Sequence, residues 1–172
     1  MKYSVSLCLS AALLLSVVSA APAFAQSAPK VAGTHGDWIV YTRGSGSEQI
    51  CYVLSKAQTK SPSNVNHGDI YFLVSNWKNG AATEQPSFLA GYTLKTTRAP
   101  KAQVGSTALT MFAADNEAFI SEGSDERKLV AKMRAGSTMT VSAVSQRGTQ
   151  TRYSFSLKGV TAALRQAKSA CR

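Results

Sequence analysis

Two histidines stand in the same local setting: His35-Gly36-Asp37 precedes the apolar run at 38–41, and His67-Gly68-Asp69 precedes the one at 70–73. Imidazole and carboxylate are natural metal ligands and proton carriers. His35, Asp37, His67 and Asp69 are therefore the first candidates for a metal centre or for acid–base catalysis. Their spacing argues otherwise, because the sequence holds neither H-x-H nor H-x-x-x-H, the patterns that put two imidazoles on one ion from one element. In each triplet the glycine permits a turn, and the aspartate bonds local backbone where a strand starts. Turn chemistry is the expectation taken forward, with no metal and no cofactor.

The thiols come next. Cys8 lies inside an N-terminal apolar run, behind a large Leu7 where a lipidated cysteine needs a small residue, which leaves Cys51 and Cys171. The leader described below sends the chain to an oxidising compartment, where a lone pair of thiols is expected to form one bridge. A Cys51–Cys171 disulfide closes most of the chain into one loop, which the chain-entropy model values at up to ~5 kcal/mol. It also removes both sulfurs as nucleophiles, and no C-x-x-C redox motif offers another route. The serine-bearing turn at 43–48, RGSGSE, lacks the G-x-S-x-G spacing of a nucleophile elbow. Asp115, Glu117, Glu122, Asp125 and Glu126 cluster without the order of a calcium loop, and the last two sit where a helix begins. The cluster reads as a solvated edge, and the protein as one that is not an enzyme.

Charge is the remaining chemistry. The formal net charge is +10, and the leader takes only Lys2 from it. Lys95, Arg98 and Lys101 share a loop, and Lys158, Arg165 and Lys168 fall on one side of the last helical segment. Together these six form a candidate anion site for lipopolysaccharide, lipid headgroups or sulfated glycans. Ordinary explanations compete: cations suit a helix C-terminus, and a solvated face must be polar. Nucleic acid is not expected without exposed aromatics interleaved among the cations.

These residues must be positioned by the elements around them. Lys2, a short apolar run and the small-x-small site Ala23-Phe24-Ala25 mark residues 1–25 as a cleaved export signal. A periplasmic or secreted location follows. Residues 26–35 are expected to be a polar flexible leader, and 36–172 a single β-rich domain long enough for one core. An opening hairpin is expected from 37–43 and 48–58, with Ile50, Tyr52 and Leu54 on one face and Cys51 and Val53 on the other. A loop at 57–68 leads to the strongest strand, 69–77, where Ile70, Phe72 and Val74 share a face. After a loop at 78–87, residues 88–95 read as a strand interrupted by Gly91, a bulge or a close backbone approach.

Further strands are expected within 102–114, divided at Gly105-Ser106, and at 117–121. A helix at 124–135 has Ser124 as N-cap, a buried stripe of Leu129, Val130 and Met133, and Gly136 as a left-handed cap. The pair 137–145 and 150–157 reads as a hairpin with Tyr153, Phe155 and Leu157 inward. The C-terminal helix, 159–170, puts Val160, Leu164, Ala167 and Cys171 on one face, so the bridge should staple this helix across the sheet. Trp38 and Trp77 are expected in the core. The fold class is mainly β: an antiparallel β-sandwich or flattened barrel with a helix near 124–135 and a C-terminal helix near 159–170.

Six segments in one order then carry a resemblance: GDWIVY (36–41), QICYVLSK (49–56), GYTLK (91–95), LVAKMRAGSTMTV (129–141), SQRGT (145–149) and SFSLKGVTAALRQAKSAC (154–171). Behind an export signal, this order resembles the invasion-associated locus B (IalB) family of exported alphaproteobacterial proteins over about 36–171. The resemblance implies a β-rich exported domain and, in some pathogenic members, an association with host-cell invasion. Relatives often carry an acid just before the aromatic of the penultimate strand, where this chain has Arg152, so a charge pairing there does not carry over. An exported interaction protein of the bacterial envelope or medium is the expectation, with an envelope or host protein as partner. A polyanion- or membrane-surface-binding module using the basic C-terminal helix is the alternative.

Overall fold

The computed structural model describes residues 27–172, and the expected export signal at 1–25 lies outside the described residues. In chain order the elements are β1 (Lys30–His35), β2 (Trp38–Arg43), β3 (Ile50–Lys56), β4 (Thr59–Ser61), β5 (Tyr71–Trp77) and β6 (Gln85–Leu89). They continue with β7 (Lys101–Val104), β8 (Thr107–Thr110), β9 (Phe112–Ala114), β10 (Glu117–Phe119), α1 (Gly123–Ala135), β11 (Thr138–Val144), β12 (Gln150–Ser156) and α2 (Val160–Ala170). Short turns between alternating segments favour hairpins, and every paired neighbour is antiparallel. The first sheet runs β1-β2-β3-β5-β6-β10-β9 and the second β4-β12-β11-β7-β8. Neither closes on itself, so the architecture is a sandwich and the barrel alternative falls away.

The core forms where the inner faces meet. Val40, Val53, Phe72, Val74 and Phe88 of the first sheet are buried, as are Met139, Val141, Tyr153 and Phe155 of the second. Contact across the layers is aromatic: Phe72 meets Phe155 edge-on at 5.8 Å between ring centroids, and Phe88 meets Tyr153 at 5.6 Å. Trp38 is fully buried, and its indole N–H donates to the Ser156 carbonyl at 3.0 Å. The rest of the inner surface is covered by helices. α1 lays Leu129, Val130 and Met133 against β6, β7 and β8, and α2 lays Val160, Ala163, Leu164 and Ala167 over β1, β2, β3 and β5. No helix among the described residues is long and apolar enough to cross a membrane.

Several local expectations are corrected. Residues 30–35 are no flexible leader but the edge strand β1, held from α2 by Gln166, whose amide donates to the Ala32 carbonyl at 2.8 Å and whose oxygen meets His35 Nε2 at 2.6 Å. The loop 57–68 contains β4. The strand expected at 88–95 instead begins at Gln85 and ends at Leu89, while Gly91 makes the close approach: a Cβ there would stand 2.5 Å from the His67 carbonyl oxygen. α1 begins one residue early, because the Glu122 carbonyl accepts from both Asp125 and Glu126 N–H, so Glu122 and not Ser124 is the N-cap. Gly136 is extended (φ −95°, ψ 174°) and not left-handed; a Cβ there would meet Val104 at 2.5 Å, so close packing explains the glycine. Trp77, at the end of β5, is 36% exposed and outside the core.

Candidate functional site

The cysteine pair is bridged. Cys51, fully buried on the inner face of β3, joins Cys171 at the end of α2 across a Cα–Cα distance of 5.7 Å. Gln49 supports the junction by donating to the Ala170 carbonyl at 3.1 Å, which occupies one of the acceptors a helix end leaves open. The bridge is an anchor with no free thiolate.

The two His-Gly-Asp triplets are held apart by different partners. His35 faces Gln166, whereas His67 lies buried between Tyr153 (Nδ1 to the phenol oxygen, 2.8 Å) and the Pro62 carbonyl (Nε2 to oxygen, 2.7 Å). Asp69 pairs with Lys56 at 2.7 Å on the surface, and the lysine holds its carboxyl below the usual range, by hydrogen bond first and charge second. Among the described residues no three metal-ligating side chains come together.

The six candidate cations do not form one patch. Arg98 and Lys101 border a groove on the outward face of the second sheet, beside Ser142 and Gln150; Lys95 adjoins it, its N–H donating to the Val144 carbonyl at 2.8 Å. Lys158, Arg165 and Lys168 belong to α2 and its entry, which pack on the first sheet. Lys158 lies six residues beyond Arg152, about 20 Å along an extended chain. The sequence reading missed Arg152 as a member of the groove. Ladder pairing puts Ser61, Arg152, Ser142, Lys101 and Thr110 in one row across β4, β12, β11, β7 and β8. Its outward direction follows from inward Thr151 and Tyr153 on either side.

The outward face of the first sheet is of another kind. Cross-strand partners share a face, so the register aligns Ile39, Leu54, Leu73, Ser87, Phe119 and Phe112 in one row over six strands. A parallel row on one side places Tyr41 against Tyr52, their rings stacked at 5.3 Å and 17°, and the row on the other side pairs Lys56 with Tyr71. Apart from Ser87, the row's side chains are half-buried or exposed, Phe112 at 48%, and none of α1, α2 or the second sheet covers them. Burial first, and Tyr41 second, push the Tyr52 phenol up from its ordinary value, so it stays a neutral donor. Strands apolar on both faces are the mark of sheets covered on both sides, and here neither helix nor the second sheet covers this side among the described residues.

Comparison with known proteins adds the family relation. The family model described as invasion associated locus B (IalB) protein matches residues 38–168. The crystal structure of invasion associated protein B from Bartonella henselae superposes with a TM-score of 0.57 at 14% identity, covering 84% of this chain and 97% of that one. At this identity the likeness is one of fold. No curated protein sequence matches.

Proposed function

This chain belongs to the invasion associated locus B family, and we propose that it is an exported, non-catalytic binding protein whose working surface is the outward face of the first sheet. The observation that carries the reading is the uncovered row from Ile39 to Phe112 with the Tyr41–Tyr52 stack beside it. Contiguous exposed apolar surface is uncommon on a chain that works alone, and aromatic residues dominate the centres of interfaces. The partner is a protein of the envelope, the medium or a host cell, and support of host-cell entry is a role for such a complex. The test is photo-cross-linking with the mature, oxidised protein, carrying a photoreactive side chain at Leu54 or at Ser142 on the opposite sheet, in envelope and culture-medium fractions. A discrete adduct from Leu54 alone is expected. Equal adducts from both positions, or none from Leu54, would sink this reading.

A second reading rests on Arg98, Lys101 and Arg152, which line one groove of the second sheet. It assigns that groove, in place of the basic face of α2, to phosphate or sulfate groups of a polyanion or membrane surface. Its mark is binding to anionic vesicles that fades as salt rises.

A further inference from the structure

One end of the sandwich holds a cavity of about 370 Å³, within the range of roughly 300–1,000 Å³ usual for small-molecule clefts. Three connections wall it: the loop before β5, which brings Val65 and His67; the loop after β6, which brings Tyr92; and the β11–β12 turn, which brings Gln146 and Arg147. Thr151 of β12 lines it as well.

These walls are locked together. Gly68 and Gly91 are in backbone contact, so the first two loops touch where neither has a side chain. The second loop is tied to the turn by Gln146 N–H donating to the Thr93 carbonyl and Lys95 N–H to the Val144 carbonyl, both at 2.8 Å. Beneath runs a chain of buried polar groups. Pro62 O lies 2.7 Å from His67 Nε2, His67 Nδ1 2.8 Å from the Tyr153 oxygen, the two phenol oxygens of Tyr153 and Tyr92 2.8 Å apart, and Tyr92 2.7 Å from Thr151 Oγ1. A carbonyl only accepts, so His67 Nε2 donates to Pro62. Tyr153 donates to Tyr92 and Thr151 to the Ala143 carbonyl at 3.2 Å, so the Tyr92 hydroxyl donates to Thr151 Oγ1 and the three hydroxyl hydrogens are all taken up inside the chain. What Tyr92 and Thr151 offer to the cavity is lone pairs. Burial pushes the Tyr153 phenol far above its ordinary value, so the chain does not break by ionisation there.

A pocket whose walls are fixed in advance by buried hydrogen bonds is what ligand binding requires. Its chemistry is legible from the lining. Lone pairs on Tyr92 and Thr151 select hydroxyl donors, and the side chains of Val65 and Tyr92 suit the C–H face of a ring. Arg147 is the only charged residue lining the cavity, and no ion pair engages it among the described residues. We propose that this cavity binds a monosaccharide-sized, hydroxyl-rich molecule carrying one carboxylate, a ligand of the hexuronate class. The guanidinium takes the carboxylate, and the aromatic wall takes the ring.

The test titrates mature, oxidised protein with glucuronate, galacturonate and glucose, followed by amide chemical shifts and calorimetry. A hexuronate is expected to bind saturably, with shifts confined to the three loops, and more tightly than glucose. Arg147→Gln, in an exposed turn, should weaken that binding by at least about ten-fold, as loss of a charge-assisted hydrogen bond does. Tyr92→Phe should weaken both acid and neutral sugar while the circular dichroism of the fold is kept. Absence of saturable binding, shifts elsewhere on the molecule, or equal affinity for glucose with no effect of Arg147→Gln would each overturn the assignment.

Discussion

Replacing both Cys51 and Cys171 by alanine isolates what the bridge does. The residues stand 120 positions apart, and closing a loop of that size removes about 5 kcal/mol of entropy from the unfolded chain at 25 °C. Loss of the buried Cys51 sulfur adds a packing penalty of order 1 kcal/mol. The folded state does not need the bridge to keep α2 in place. Val160 and Leu164 are both buried against the sheet, each contributing about 1.5–3 kcal/mol. Urea unfolding of wild-type and double-variant protein should therefore differ by about 5–6 kcal/mol, a large part of a typical domain's stability. The m-value should rise, since the unlooped unfolded chain exposes more surface. Amide exchange should show α2 still protected in the variant. A loss below about 1 kcal/mol at constant m would refute the loop-entropy argument. An α2 that exchanges freely while the sheets stay protected would show that the bridge clamps the native helix instead.

Gly91→Ala places a Cβ against the His67 carbonyl and Asp69 N–H and should destabilise by about 1–3 kcal/mol in the same urea assay, with a neutral result ruling out the backbone contact. Tyr153→Phe strips the hydroxyl shared by His67 and Tyr92 and should destabilise by about 1–3 kcal/mol at neutral pH, measured by thermal or urea unfolding. The same phenol holds its proton to higher pH in the folded chain than in the unfolded one, so stability contributed below the unfolded value of 10.0 is lost as pH rises past it. Tyr153→Phe should flatten that alkaline decline in a stability–pH profile. Neutralising Arg98, Lys101 and Arg152 should reduce binding to anionic vesicles at low salt more than neutralising Lys158, Arg165 and Lys168; the reverse order would return the site to α2.

Legibility in the sequence followed contrast between faces. β12 alternates Thr151, Tyr153 and Phe155 with outward neighbours, and α2 repeats its apolar residues at helical spacing, so both are plain from the residues alone. β1 is not, because KVAGTH is small and polar; its order comes from β2 and from Gln166, more than 130 residues away. β6 reads as a loop because of Pro86 and Ser87. The proline is tolerated since β6 pairs there with Val74 on one side only, the β10 ladder starting at Ser87. The N-cap of α1 falls two residues before Ser124, and Gly136 caps without turning left-handed, because local carbonyl geometry and packing decide there. For the candidate site, the alternation in β3 and β5 showed apolar residues on both faces but could not tell which face the chain itself would cover. That is a property of topology. The groove's Arg152 was visible only as a departure from relatives, since its neighbours Ser61 and Lys101 reach it through three other strands' pairing.

The first and last segments of the described chain meet: Gln166 holds the edge strand β1, and Cys171 holds β3. The opening hairpin therefore lacks its cover until the chain has emerged as far as Cys171 from whatever machine makes or moves it. During that interval Cys51 waits as an unpaired thiol on a half-finished sheet. Cys8 and Cys171 are the other cysteines in the sequence, so Cys8 is the single wrong partner within this sequence. The other error open to such a chain is pairing with its neighbour, and the yield of correctly closed molecules should fall as crowding of nascent chains rises.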